Sequence, residues 1–243
     1  MVPPRISVKL CYDIVSPYSY LAFESLTRYR ELWNIDLQLC PYFLGGVMVA
    51  ANNRPPMSVK LKGDYLAQEV KRLGEEAGCE YISTFAVAFQ LTSRRVKINV
   101  AWNNNPPNTM GVARFLRAYK DVSSSTELEN VTRRLFTELF GKETPPSDPA
   151  FLECLVPDLI PEVKFKEIVA RSGSQEIKDI VKFESAALVK DYGAFGFPWI
   201  IVRRADGTAN SFFGSDRFAN MAWWLGSEYK WQGPRPDVPK GKL

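Results

Sequence analysis

Val8-Lys9-Leu10-Cys11-Tyr12-Asp13-Ile14-Val15-Ser16-Pro17-Tyr18-Ser19-Tyr20-Leu21-Ala22-Phe23-Glu24 decides how the chain is read. Up to Val15 the run is strongly apolar and reads as a strand; from Tyr18 it reads as a helix. Pro suits the first helical position because its missing N–H would be unpaired there, and Ser just before it is a good N-cap. This puts a hydroxyl beside unpaired backbone N–H groups at the positive end of a helix dipole, surroundings that also stabilise a thiolate. Both ends of Ser16-Pro17-Tyr18-Ser19 are serine. The turn is therefore suited to bind a thiolate while carrying no thiol of its own, and a thiol from outside would fill it.

Composition narrows the chemistry further. At 243 residues the chain can bury a substantial core, in one large domain or in a domain with an insertion. The 31 Lys and Arg against 27 Asp and Glu give a net charge of +4 without a long basic run, so nucleic acid is not an implied partner. No apolar run approaches the roughly 18 residues of a membrane span. Met-Val-Pro-Pro-Arg at the start reads neither as a signal peptide nor as an Arg-rich transit helix, so secretion is not expected. The sequence has no histidine, which removes Ser-His-Asp and Cys-His catalysis and His-containing metal sites. Cys11, Cys40, Cys79 and Cys154 form no C-x-x-C pair; Cys11 and Cys40 lie in strand-like runs and read as buried reduced thiols, and no metal site is expected.

Residues 6–15, 18–33 and 35–42 form a strand, helix and strand, the last marked by Ile35, Leu37 and Leu39 alternating with Asp36 and Gln38. Such a βαβ unit crosses over right-handedly. Helical periodicity follows in 65–77, 109–119 (with Asn108 as cap), 128–139 (stopped by Gly141), 161–170 and 175–192 (closed by Gly193). Strand character returns at 199–202 and 209–213 around the Asp206-Gly207 hairpin signal, and a last helix is expected over 216–225. The order βαβ, helical block, ββα describes an α/β chain with a thioredoxin-like sheet, residues 1–57 and 191–243, interrupted by an all-helical insertion, residues 58–190.

In thioredoxin-like proteins the first βα turn carries the reactive centre, which raises Ser16 from a helix cap to a hydrogen-bond donor for sulfur. Pro198 in Gly196-Phe197-Pro198 is either an ordinary trans residue at a strand start or a cis proline. In the cis case Phe197 offers its N–H and C=O to an extended peptide. Gly214-Ser215-Asp216-Arg217 either caps the last helix or clamps an amino acid, Ser215 and helix N–H groups taking a carboxylate and Asp216 an ammonium. Asn53 and Lys62 are loop and surface residues that could receive a second carboxylate. Trp223 and Trp224 read as core.

Taken in order, Ser16-Pro17-Tyr18-Ser19 with Leu21-Ala22-Phe23-Glu24 in its wake, Asn53-Arg54-Pro55-Pro56, Tyr192-Gly193-Ala194-Phe195-Gly196-Phe197-Pro198 and Phe213-Gly214-Ser215-Asp216-Arg217, the chain resembles the kappa-class glutathione transferases over nearly its whole length. The resemblance implies a homodimer that conjugates glutathione to hydrophobic electrophiles in detoxification, with a glutathione peroxidase activity, using glutathione as co-substrate and no other cofactor. By position, Ser16 would stabilise the thiolate, with Pro17 and Tyr18 in the same binding turn. Phe197, followed by Pro198, would pair its backbone with the cysteinyl unit, Ser215 and Asp216 would hold the γ-glutamyl end, and Asn53 and Lys62 would lie near the glycine end. Arg217 matches the motif, serving its own site or a neighbouring subunit's. Phe197 replaces a smaller aliphatic residue, which is expected to reshape the electrophile pocket. The family is associated with mitochondria and peroxisomes, and Gly241-Lys242-Leu243 is close to the peroxisomal Ser-Lys-Leu.

Two other classes compete with a transferase. A redox folding helper shares the topology but is weakened because neither Ser16 nor Ser19 can form a mixed disulfide. A non-catalytic binding module would leave Ser16 a cap. A glutathione-dependent isomerase is a variant of the first reading, since it would share the thiol site.

Overall fold

A computed structural model describes residues 6–79 and 107–236. Strand β1 (Ile6–Tyr12) runs into helix α1 (Pro17–Leu32), and β2 (Ile35–Pro41) returns parallel to β1. Helix α2 (Leu44–Ala50), a single 3-10 turn at Pro56–Ser58 and α3 (Lys60–Ala77) follow. The described chain resumes with α4 (Met110–Lys120), α5 (Ser125–Gly141), the short α6 (Ala150–Glu153), α7 (Glu162–Ser172) and α8 (Gln175–Tyr192). Antiparallel strands β3 (Trp199–Arg203) and β4 (Ala209–Phe213) and helix α9 (Phe218–Leu225) end the fold. The four-stranded mixed sheet has the order β2-β1-β3-β4, with helices inserted between β2 and β3. This is the thioredoxin-like arrangement the sequence predicts. The part of the expected helical block in 80–106 and the Gly241-Lys242-Leu243 terminus lie outside the described residues.

Strand periodicity assigns the two faces of the sheet. Val8, Leu10 and Tyr12 of β1, with Ile35, Leu37 and Leu39 of β2, join the main core with Phe23 and Leu26 of α1 and Val131, Leu135 and Phe136 of α5. Tyr12 is fully buried, and its phenol and the Thr132 hydroxyl share a 2.7 Å hydrogen bond across that core. The opposite face carries a smaller cluster of Cys11, Val47, Leu188, Ala194, Phe197, Trp199 and Ile201.

Three local expectations change. Strand β1 ends at Tyr12 rather than at 15, because the buried Asp13 takes backbone and hydroxyl donors and begins the turn. The last helix begins at Phe218, so neither Ser215 nor Asp216 caps it; its N-cap position is Arg217. Trp223 is 77% exposed rather than core. Its neighbour Trp224 packs edge-on to Phe212 beneath the Arg204 guanidinium, 4.0 Å from the ring centroid.

Candidate active site

The β1–α1 turn is held from within. Ser16 has extended backbone (φ −89°, ψ 114°) and caps α1, its hydroxyl accepting from the Ser19 N–H at 3.1 Å and donating to the Phe197 carbonyl at 3.2 Å. Pro17 has no N–H and Ser19 is taken by the cap, which leaves the Tyr18 N–H, one of the first-turn donors that no helical carbonyl reaches. The Phe197–Pro198 bond is cis. The Gly214 N–H donates to the Pro198 carbonyl at 3.1 Å, fastening the Gly214-Ser215 turn beside it.

These segments line one cavity of about 960 Å³, within the range usual for small-molecule sites. Ser16, Pro17, Tyr18, Asn53, Lys62, Phe197, Ser215, Asp216 and Arg217 all line it, whereas Pro198 does not and contributes the cis bond behind Phe197. Met48, Met57, Leu61, Leu66 and Leu73 supply much of the apolar wall.

Several of these groups are engaged within the protein. Asn53 donates its amide to the Phe195 carbonyl at 2.7 Å and accepts the Arg54 N–H at 2.8 Å, so it shapes the rim through backbone. Asp216 is ion-paired with Arg217 of the same chain, and both are more than half exposed. The Tyr18 phenol donates to Glu69 of α3. Burial first, then the bond to Glu69 and its negative charge, raise the Tyr18 pKa, so this group stays a neutral phenol committed to a carboxylate. The Ser19 hydroxyl is fully buried and does not line the cavity, so Ser16 is the hydroxyl of the turn that stands at the cavity wall beside the Tyr18 N–H. The Phe197 side chain is 5% exposed and packs into the smaller cluster, 5.8 Å from the Tyr42 ring, so its bulk is spent in the core more than in the cavity.

Asp13 is the residue sequence reading passed over. It is 3% exposed; one carboxylate oxygen accepts the Val15 N–H at 3.1 Å, and the other accepts the Leu44 N–H at 2.7 Å and the Thr109 hydroxyl at 2.8 Å. One carboxylate thus ties the turn before α1 to the starts of α2 and α4. Burial pushes its pKa up to about 6 despite these bonds, which act in the other direction. The signal was present, since an acid inside an apolar strand end needs a reason to be there.

A family model described as a DSBA-like thioredoxin domain matches residues 7–225, which sets the class of the fold. The chain is 31% identical to glutathione S-transferase kappa 1 of Rattus norvegicus over 241 residues, covering 99% of this chain and 98% of that one. It is 30% identical to the Homo sapiens glutathione S-transferase kappa 1 over 244 residues, covering 100% of each. The chain belongs to the kappa-class glutathione transferase family. Among solved structures, 2-hydroxychromene-2-carboxylate isomerase superposes with a TM-score of 0.64 at 17% identity, over 90% of this chain and 94% of that one. The cytosolic disulfide reductase DsbM from Pseudomonas aeruginosa, with GSH, gives 0.54 at 16% identity over 91% and 93%. At these identities the two structures show the shared fold alone.

Proposed function

We propose that this protein transfers the glutathione thiolate to small apolar electrophiles and reduces hydroperoxides at the expense of two glutathiones, which leave as the disulfide, and that Ser16 stabilises the anion. The observation that carries the reading is the Ser16 hydroxyl at the cavity wall, capping α1 and bonded to the carbonyl of the residue before a cis proline. A peptide lying along Phe197 would offer that carbonyl its own N–H, releasing the Ser16 hydroxyl to turn toward sulfur. Binding of the cysteinyl backbone and stabilisation of its thiolate are then one exchange of hydrogen bonds. The Tyr18 N–H and the α1 dipole add to the same charge. With no histidine in the chain, the thiol proton leaves to solvent and activation rests on lowering the thiol pKa. Sulfur then attacks the electrophilic atom as the leaving group departs from it.

Ser215 and Asp216 are assigned the γ-glutamyl carboxylate and ammonium, with Arg217 steadying Asp216. Lys62 and the Asn53 turn are assigned the glycine carboxylate, and the methionine- and leucine-lined wall the electrophile. A homodimer in mitochondria or peroxisomes belongs to the same proposal and rests on the family.

The test is the ultraviolet absorbance of bound glutathione thiolate against pH, in wild type and Ser16→Ala. Losing a hydrogen bond to a charged group costs roughly 1.5–3 kcal/mol, about one to two pKa units, so the variant's curve should move up by that amount. It should remain folded, since loss of an N-cap costs about 1 kcal/mol against a typical stability of about 5–15. Superimposable curves from two folded, glutathione-bound proteins would reduce Ser16 to a cap.

A further inference from the structure

On the sheet face away from the main core, Cys11 of β1 and Cys40 of β2 are direct partners in the parallel ladder. Both belong to the alternation opposite the one that feeds the main core: Ser7, Lys9 and Cys11 on β1, Asp36, Gln38 and Cys40 on β2. Adjacent strands lie about 4.8 Å apart, and Cα atoms bridged by a disulfide are usually about 4.4–6.8 Å apart, so the two backbones already stand at disulfide spacing. The ammonium of Lys120, the last residue of α4, donates to the Cys40 sulfur at 3.3 Å.

The two thiols differ in character. The hydrogen bond from Cys11, followed by the Lys120 charge and hydrogen bond and then the Lys9 charge, pulls the Cys40 thiol down to about 6 against its burial. Cys11, 1% exposed, is raised by the same pairing and by burial, so it holds its proton. Tyr42 and Glu184 complete the surroundings; the Tyr42 phenol is raised by burial and stays neutral. Access differs too. Cys11 is covered by Val47, Leu188 and Trp199, whereas Cys40 is half-buried where the face opens toward the exposed Lys9 and Asp36. Neither cysteine lines the glutathione cavity.

We propose that Cys40 and Cys11 are a peroxide-reactive pair, in which Cys40, held by Lys120, attacks a small hydroperoxide and Cys11 resolves the product. The Cys40 thiolate attacks one peroxide oxygen and the O–O bond breaks. The alkoxide or hydroxide leaves and takes a proton from solvent, and Cys40 becomes a sulfenic acid, oxidised by two electrons. The Cys11 sulfur then attacks the Cys40 sulfur, the S–S bond forms, and the hydroxyl leaves as water with the Cys11 proton. Two equivalents of a small thiol return the pair to dithiol by exchange and are themselves oxidised to a disulfide.

The experiment uses the full chain without glutathione, about one equivalent of hydrogen peroxide near pH 7, rapid alkylation and peptide mass spectrometry. The Cys11–Cys40 disulfide should form before Cys79 or Cys154 reacts, since burial pushes each of those thiols up to about 11. Cys11→Ser should stop at a Cys40 sulfenic acid that dimedone captures. Lys120→Met should slow Cys40 oxidation about ten-fold, in line with a smaller thiolate fraction. The proposal is overturned if Cys40 stays reduced while Cys79 or Cys154 oxidises, or if Lys120→Met reacts at the wild-type rate.

Discussion

Asp13 shows how much one buried carboxylate can organise. Its pKa is raised to about 6, so between about pH 4 and 6 the folded state holds a proton that the unfolded chain has lost. The sign follows: its contribution to stability is fully present below about pH 4 and falls as pH rises through about 6. A shift of about two units corresponds to at most ~3 kcal/mol. Denaturant titrations of wild type and Asp13→Asn should therefore show the difference (wild type minus variant) falling across that window and flat above about pH 7. A difference that does not vary with pH would mean that Asp13 carries the same charge folded and unfolded. Ser16, three residues on, should be exchangeable for Ala at a cost of about 1 kcal/mol in stability, the usual loss for an N-cap.

At the scale of elements, the turn between β4 and α9 holds Asp216 in place. Gly214 has φ +100°, which L side chains rarely adopt, and a Cβ there would come 2.6 Å from an Asp216 carboxylate oxygen. Gly214→Ala should strain the turn and displace Asp216, reproducing the effect of Asp216→Asn. Both should raise KM for glutathione several-fold and leave kcat at saturation nearly unchanged, because a charge partner of the γ-glutamyl ammonium acts equally in ground and transition states. Steady-state kinetics over a range of glutathione concentrations checks this; loss of kcat with KM unchanged would remove Asp216 from the clamp.

Across the whole molecule, the cavity is shared. The sheet and its turns supply Ser16, Phe197 and Ser215, while α3 of the inserted helices supplies Lys62 and Glu69. A ligand touching both parts binds only the folded chain, so glutathione should raise the Tm in a saturable way, with about 2.7 kcal/mol gained at a hundred times Kd. An analogue lacking the glycine should stabilise less, since it cannot reach Lys62 and the Asn53 turn. An unchanged Tm at millimolar glutathione would favour a binding module for some other ligand.

The sequence by itself determined the class and most of the elements, though not the short helices α2 and α6, whose few residues carry no helical period. The apolar run of β1, the period-2 alternation of β2, Pro17 after a capping serine, Gly193 in the left-handed conformation at the end of α8 and the Asp206-Gly207 hairpin are local signals, each set by backbone geometry within a few residues. The ordered motifs also marked part of the cavity lining, Ser16, Asn53, Phe197 and Ser215 among it, but not its methionine and leucine wall. Tertiary structure alone decided which of those groups are engaged: Tyr18 with Glu69, Asn53 with Phe195, Ser16 with Phe197, Asp216 with Arg217. It also set the buried tie through Asp13 and the neighbourhood of Cys11, Cys40 and Lys120. The physical reason is that hydrogen bonds and pKa shifts depend on distance and burial between segments far apart in the chain, and a local pattern holds neither quantity.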